Sequence, residues 1–464
     1  MKKIFLLFYL VIATQLCFSQ YKVSLYGTIT NPKGEYVYVK YYKDFISYEE
    51  VIVDSAKLEK NGKYHMNFSW PLPAAATFAH GDEITEMFLA PGDSMSVSLD
   101  TKEFDETVKY AGRGAFINTY LAAKTLKFGY LGAPEYMMKE PEFTHLLDSI
   151  DKAQTKFFTN YFAGHDESSV KNFKITEEAD LLYGWANYKT SYPGLNQYLN
   201  KSDAPTVLPD NYYDFMKKIR IYNPEAMHSP SYLEFLDDYV NGEATKLAEA
   251  DTTRTFNLHK EKFIDDNVPQ VLKDFVLAQW AYGALTAEND IEFGTYVLDK
   301  MKRETPRSPY IILLNKTLAL AQQLSPGRPA PNFTCPDTKG NMVSLSDFHG
   351  KVVYLDIWAS WCGPCRGEIP FAAKLEEEMK DKNVVFLSVS VDEDENAWKK
   401  LLMEKDMKGV QLISKGNFES TVAKLYNVKG IPQYIIIDQK GNIVTSNAER
   451  PSGKAKERIE ALLE

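Results

Sequence analysis

Cysteine is scarce in this chain, with four in 464 residues. That excludes a small scaffold stapled by disulfides in place of a core. Positive charge is not in excess either: 53 Lys and Arg against 63 Asp and Glu leave a net charge of −10. No basic stripe marks a nucleic-acid face, so nucleic acid is not expected as a partner. Histidine is thin, seven residues scattered along the chain, and none stands at the tight spacing of a zinc ligand pair. Beyond the first twenty residues no apolar run is long enough to cross a bilayer. What is present is 44% hydrophobic residue, with 29 Tyr and 26 Phe. The length allows about three domains, so seams are expected.

The chain opens MKKIFLLFYLVIATQLCFSQ, with Lys2 and Lys3, an apolar run from Ile4 to Leu16 and small residues up to Ser19. This is the pattern of a secretory signal, too short and wrongly flanked for a membrane span. Residues 1–19 are expected to be removed, placing the protein in the periplasm or cell envelope with no transmembrane segment. Cys17 is an alternative lipid attachment point, but the bulky Leu16 before it argues for cleavage after Ser19. Three cysteines then remain: Cys335, Cys362 and Cys365.

Periodicity divides the rest. Over residues 21–112 the pattern is β. YHMNFSW alternates Tyr64, Met66, Phe68 and Trp70 with polar residues, directly after the turn pair Asn61-Gly62. A small antiparallel β-sandwich is expected there. From 113 to 324 the spacing turns helical, as in VPQVLKDFVLAQWAYGAL, and the many aromatics at that spacing read as core, in an all-α middle region. SPGRPAPNF, residues 325–333, holds three prolines and reads as a linker. Over 326–464 strands and helices alternate, which gives an α/β domain around a mixed sheet.

The chemistry concentrates in DIWASWCGPCRGE, Asp356 to Glu368. A Cys-x-x-Cys pair either binds metal or exchanges disulfides. No second pair of ligands is present, so redox is expected and a metal is not. VVYLDIW reads as a buried strand, and Pro364 suits the first turn of a helix. Cys362 then sits at a helix N-terminus, where free N–H groups favour the thiolate, and acts as the attacking sulfur. Cys365, one turn later, resolves the mixed disulfide. Asp356, alone among apolar residues, is expected to be buried with a raised pKa, as the base for Cys365. Glu368 lies one turn beyond Cys365 on the same face. Cys335, in the expected first strand of this domain, reads as a small buried thiol.

WCGPC, the Asp six residues before it, Pro370 and the later GIPQY resemble thioredoxin. The wider run APNFTCPDTKGNMVSLSDFHGKVVYLDIWASWCGPCRGEIP is more similar to the exported TlpA/ResA-type thioredoxin-like proteins, which carry an added hairpin (here around Thr338 to Asn341) and a Glu three residues past the pair. This resemblance covers about Pro326 to Glu464 and implies a thioredoxin fold. VDSAKLEKNGKYHMNF and MFLAPGDSMSVSLD are similar to an N-terminal domain often found ahead of such domains in some Gram-negative bacteria. The resemblance implies Cys362 as nucleophile, Cys365 as resolving thiol, and a cis Pro432 facing the disulfide. It also implies a substrate-facing set of Trp361, Gly363, Pro364, Ile431 and Pro432, with the Ile431 backbone open to an extended segment. No cofactor is implied beyond the redox-active disulfide Cys362–Cys365. Two departures stand out: this chain has both Asp356 and Glu368, and Ser388 stands where thioredoxin has a Lys near the buried acid.

Gly363-Pro364 is the dipeptide of thioredoxin, the reducing end of the scale at about −270 mV. A reductant of disulfides in envelope proteins is therefore expected, fed by a membrane thiol-electron donor, with cytochrome c maturation as one setting that the family resemblance implies. Two rivals stand beside it. A thiol peroxidase of the AhpC/TSA type needs a PxxxTxxC setting that PNFTC, Pro331 to Cys335, does not match. In an envelope binding protein, the first 324 residues would dominate and the redox pair would be secondary.

Overall fold

The computed structural model describes residues 21–81, 83–286 and 290–463; the expected signal 1–19, with Cys17 and the cleavage site after Ser19, lies outside them. The chain divides into two compact units, Met1–Leu272 and Lys273–Glu464.

The first unit begins with eight strands: β1 (Lys22–Thr30), β2 (Tyr36–Tyr42), β3 (Glu50–Lys57), β4 (Lys63–Ser69), β5 (Ala74–His80), β6 (Glu83–Leu89), β7 (Ser94–Asp100) and β8 (Lys109–Arg113). They form two four-stranded sheets, β4-β1-β7-β8 and β3-β2-β5-β6. Strict alternation decides which side chains go inward: Tyr64, Met66 and Phe68 of β4 are buried and the residues between them exposed. Both sheets feed one core, with Val23, Leu25 and Val97 from the first and Val39, Phe78 and Leu89 from the second. The expectation of a wholly antiparallel arrangement is corrected, because β1 and β7 pair in parallel. Alternation is the same for either direction, so the sequence pattern could not distinguish them. Gly27 permits the close approach, since a Cβ there would lie 1.9 Å from the Val97 carbonyl oxygen.

Helices follow: α1 (Ala115–Phe128), α2 (Glu140–Tyr161), α3 (Ser168–Leu199), α4 (Pro230–Ala250) and α5 (Phe256–Asn267). The change at 112/113 is a change of secondary structure and not a break between compact bodies. Phe88 of β6 packs in one cluster with Tyr120 and Leu121 of α1, Phe158 of α2 and Phe173 of α3. Asn118, fully buried, accepts from the Phe88 N–H at 2.8 Å and donates to its carbonyl at 2.9 Å. A side-chain amide thus completes the hydrogen bonding of an edge strand.

The unit boundary falls in the first turn of α6 (Gln270–Thr286). The second unit then contains α7 (Ile291–Glu304), α8 (Tyr310–Gln323), the hairpin β9 (Thr334–Pro336) and β10 (Met342–Ser344), and a five-stranded sheet. Its order is β13-β12-β11-β14-β15, from β11 (Val352–Trp358), β12 (Val384–Ser390), β13 (Val410–Ile413), β14 (Gln433–Ile437) and β15 (Ile443–Thr445). β11, β12 and β13 run parallel; β14 and β15 are antiparallel to their neighbours. The linker expected at 325–333 is corrected. Gly327 and Ala330 donate to the carbonyls of Ile443 and Gly441 at 2.7 and 2.9 Å, and Ile443 donates back to Arg328 at 2.8 Å. Leu324 and Phe333 sit in the domain core. The prolines do prevent helix, but the residues between them keep their donors and bind the β15 edge. Among the described residues, no helix is long and apolar enough to cross a membrane.

Candidate active site

Strand β11 sorts its residues by parity. Val353, Leu355 and Ile357 enter one core with Trp398 of α10 (Glu395–Lys405), while Val352 and Tyr354 enter another with Leu375 and Met379 of α9 (Gly363–Met379). Asp356 shares the parity of Val352 and Tyr354, which turns a carboxyl toward α9.

The strand leads into a tight loop and then α9. Cys362 is the N-cap of that helix, and its Sγ accepts from the Cys365 N–H at 3.1 Å. Pro364 occupies the first turn, where its missing N–H costs nothing. Cys362 and Cys365 are joined by a disulfide with a Cα–Cα separation of 5.3 Å. The Sγ of Cys362 lies 3.6 Å from the carbonyl oxygen of Ile431, whose peptide bond to Pro432 is cis. Around the disulfide, Gly363 and Pro364 are exposed and Ile431 and Pro432 half-buried. Trp361 is 53% exposed and meets Phe418 near edge-on, ring centroids 6.3 Å apart. The structure therefore brings together the cysteines and all five residues of the substrate-facing set.

Behind the disulfide a narrow cleft is lined by Cys365, Asp356, Glu368, Glu376, Ser388 and Gln411, among others. The Oδ1 of Asp356 is enclosed and has no hydrogen-bond partner. Burial first, then the charges of Glu368 and Glu376, push its pKa up to about 8. Ser388, opposite Asp356 in the parallel register, offers no charge to offset this. Glu368 is differently placed. It lines the same cleft as Cys365, yet its Oε2 accepts from the Ser452 N–H at 3.0 Å and its Oε1 from the Ser452 hydroxyl at 2.8 Å. Arg450 stands 4.0 Å away. This carboxylate is anchored to the C-terminal segment, a partner 84 residues on.

Sequence reasoning passed over two acids. Asp392, 2% exposed, accepts from the Ser360 N–H at 2.9 Å, the Ser360 hydroxyl at 2.8 Å and the Ser390 hydroxyl at 2.6 Å. It pins the loop that aims Cys362. The phrase SVD after an apolar run gave the available hint, a carboxylate at the C-terminal end of a parallel strand. Glu376 had only helical spacing to mark it: Cys365, Glu368, Ala372 and Glu376 recur at i, i+3, i+7 and i+11 on α9. Burial raises its pKa to about 7.

Cys335 of β9 is buried, and burial pushes its thiol pKa up. It is not the exposed, low-pKa thiolate a peroxidase uses. Among the described residues, no group of three or more His, Cys, Asp and Glu is placed to hold a metal ion.

Comparison with known proteins finds similarity over the C-terminal part of the chain. The Redoxin family model matches residues 325–463. The thiol-disulfide oxidoreductase ResA of Bacillus thuringiensis is 32% identical over 142 residues, 31% of this chain and 79% of the relative. ResA of Bacillus subtilis is 32% identical over 134 residues, 28% of this chain and 72% of the relative. Among solved structures, the thioredoxin domain of a thiol-disulfide oxidoreductase from Bacteroides vulgatus is 34% identical, covering 30% of this chain and 99% of that one, with a TM-score of 0.28.

Proposed function

This chain belongs, through its C-terminal domain, to the ResA-type thiol-disulfide oxidoreductases, and from that premise we propose that it is an exported reductant of protein disulfides in the cell envelope. The observation that carries the reading is the Cys362–Cys365 disulfide at the start of α9, with the resolving sulfur and the enclosed carboxyl of Asp356 in one cleft. In the reduced protein the Cys362 thiolate attacks a substrate disulfide, favoured by the N–H groups of the first turn. Asp356 takes the proton of Cys365, whose thiolate then displaces the second substrate sulfur. Trp361, Gly363, Pro364, Ile431 and Pro432 form the surface against which the substrate segment lies. Gly363-Pro364 sets the direction toward reduction. Electrons come from a membrane thiol donor, and the substrates include the haem-attachment cysteine pairs of apocytochromes c.

Titration of the Cys362–Cys365 couple in thiol redox buffers tests this. The expected potential is close to the thioredoxin value of about −270 mV, and a value near about −120 mV, that of a strong oxidant, would overturn the reductase reading.

A further inference from the structure

Two carboxyls in the cleft behind the disulfide have an oxygen with no hydrogen-bond partner among the described residues. The enclosed Oδ1 of Asp356 is one. Glu376 is the other: among the described residues its half-buried carboxylate makes neither a hydrogen bond nor an ion pair. Lys408, a cation lining the cleft, bonds Asp406 and acts on Glu376 only through its charge, which opposes the effect of burial. Gly409, with a φ of +65°, lies beside the furrow, where a Cβ would come within 2.8 Å of the Phe386 carbonyl oxygen and 2.9 Å of the Glu376 Oε1. Glu368, by contrast, is held by Ser452. Two more residues that line the cleft carry an enclosed polar atom without a hydrogen-bond partner among the described residues, the donor Trp358 Nε1 and the acceptor Gln411 Oε1. Buried polar atoms are nearly always satisfied, and each exception calls for an explanation. A donor and acceptors without protein partners around one narrow space are what a hydrogen-bonded chain of waters requires.

The furrow follows one stripe of α9, floored at its centre by the small residues Ala372 and Ala373. From Cys365 to Glu376 it covers a spacing of eleven positions, about 16 Å of helix axis at the usual rise. That is too far for direct transfer, and Asp356 of β11 lines the same furrow.

We infer that this furrow is the proton exit of the redox centre, with Glu376 as the acceptor that takes the proton of Asp356 onward to solvent. The inference rests on the reductase reading above. At neutral pH the Asp356 carboxyl holds a proton and must release it before it can act as a base. The reaction then balances as follows. The Cys362 thiolate attacks the substrate disulfide R–S–S–R; a Cys362–S–S–R bond forms and the first thiolate, RS⁻, leaves. Asp356 hands its proton through the furrow to Glu376 and so to bulk water, then accepts the proton of Cys365. The Cys365 thiolate attacks the Cys362 sulfur, the internal disulfide forms and the second RS⁻ leaves. Two electrons have passed from the dithiol to the substrate. The other charged or titratable groups facing this path are Glu368 with its neighbour Arg450, Lys408, Tyr354 and Tyr434. Glu376 touches neither sulfur nor substrate, so it is a positioning residue for the proton.

The test mixes the reduced full-length protein with a small aromatic disulfide that absorbs on reduction, resolving the release of the first and second thiolates at neutral pH. Glu376→Gln is expected to leave the first phase unchanged and to slow the second about tenfold, with imidazole restoring the rate as its concentration rises. Wild type should show no imidazole dependence, Glu376→Asp should keep most of the rate, and the neighbouring Glu377→Gln should behave as wild type. A Glu376→Gln second phase equal to wild type overturns the exit, and so does a slowed phase that imidazole does not relieve. Wild type that reduces no disulfide at all would instead overturn the reductase reading, an outcome distinct from any behaviour confined to the variant.

Discussion

Two acid sites, one in each compact unit, lie among aromatic residues and are held in opposite ways. In the first unit Glu177 of α3, 3% exposed, accepts from the Tyr120 hydroxyl at 2.7 Å and from Lys124 at 2.8 and 3.0 Å. One turn on, Asp180 accepts from the Ser229 hydroxyl, and its pKa, raised chiefly by burial, stands at about 6. These acids are paired and tie α1, α3 and the start of α4 together. In the second unit Asp356 and Glu376 have no such partners. A satisfied buried acid holds structure. An unsatisfied one beside a redox disulfide stores and moves protons.

The sharpest test of this contrast is Asp356→Asn. Resolution of the mixed disulfide should slow by about a hundredfold, read as the second thiolate phase. Stability should move the other way. The folded pKa of about 8 lies above the unfolded value, so between about pH 4 and pH 8 the native state holds more protons and stability falls as pH rises. Denaturant unfolding of the oxidised protein at pH 8 should therefore show Asp356→Asn more stable by on the order of 2–4 kcal/mol, and the two proteins converging near pH 4. A variant that is slow but equally stable across this range would break the claim that Asp356 is an uncompensated acid.

The paired region should respond in the opposite sense. Lys124→Met leaves Glu177 buried with only the Tyr120 hydroxyl, and is expected to destabilise the protein by about 2 kcal/mol in urea unfolding while disulfide exchange stays at the wild-type rate. Loss of exchange with intact stability would show that the two acid sites are not separable. The smallest effect is expected for Glu368→Gln. The amide can still bond Ser452, and removing one negative neighbour lowers the Asp356 pKa, so the pH profile of resolution should move toward acid by about half a unit to one unit. No shift would mean that Glu368 is purely an anchor.

Much of the centre was legible in the chain. The Cys-x-x-Cys spacing, Pro364 in the next turn and one acid in an apolar strand are local patterns, and local geometry of strand and helix start places them. The pairings of Asp392 with Ser360 and of Glu368 with Ser452 were not legible, because the partners lie 32 and 84 residues apart in sequence. The same applies to 325–333: three prolines predict what the segment cannot be, and only the neighbouring β15 edge decides where it goes. The parallel β1–β7 pair was hidden because alternation reports which face is buried and not the direction of the neighbour.

The amino-acid order by itself determined the redox pair, the helix start that favours the Cys362 thiolate, the burial of Asp356 and the division into β, helical and α/β stretches, since each depends on residues within a turn or two. Tertiary structure alone decided that Phe88 and Asn118 join the β and helical stretches in one body, that Glu368 is anchored, and that Glu376, with no hydrogen-bond partner among the described residues, lies in the same furrow as Asp356. Whether a buried acid is paired depends on what the rest of the chain brings to it, and that pairing separates an anchor from a proton carrier.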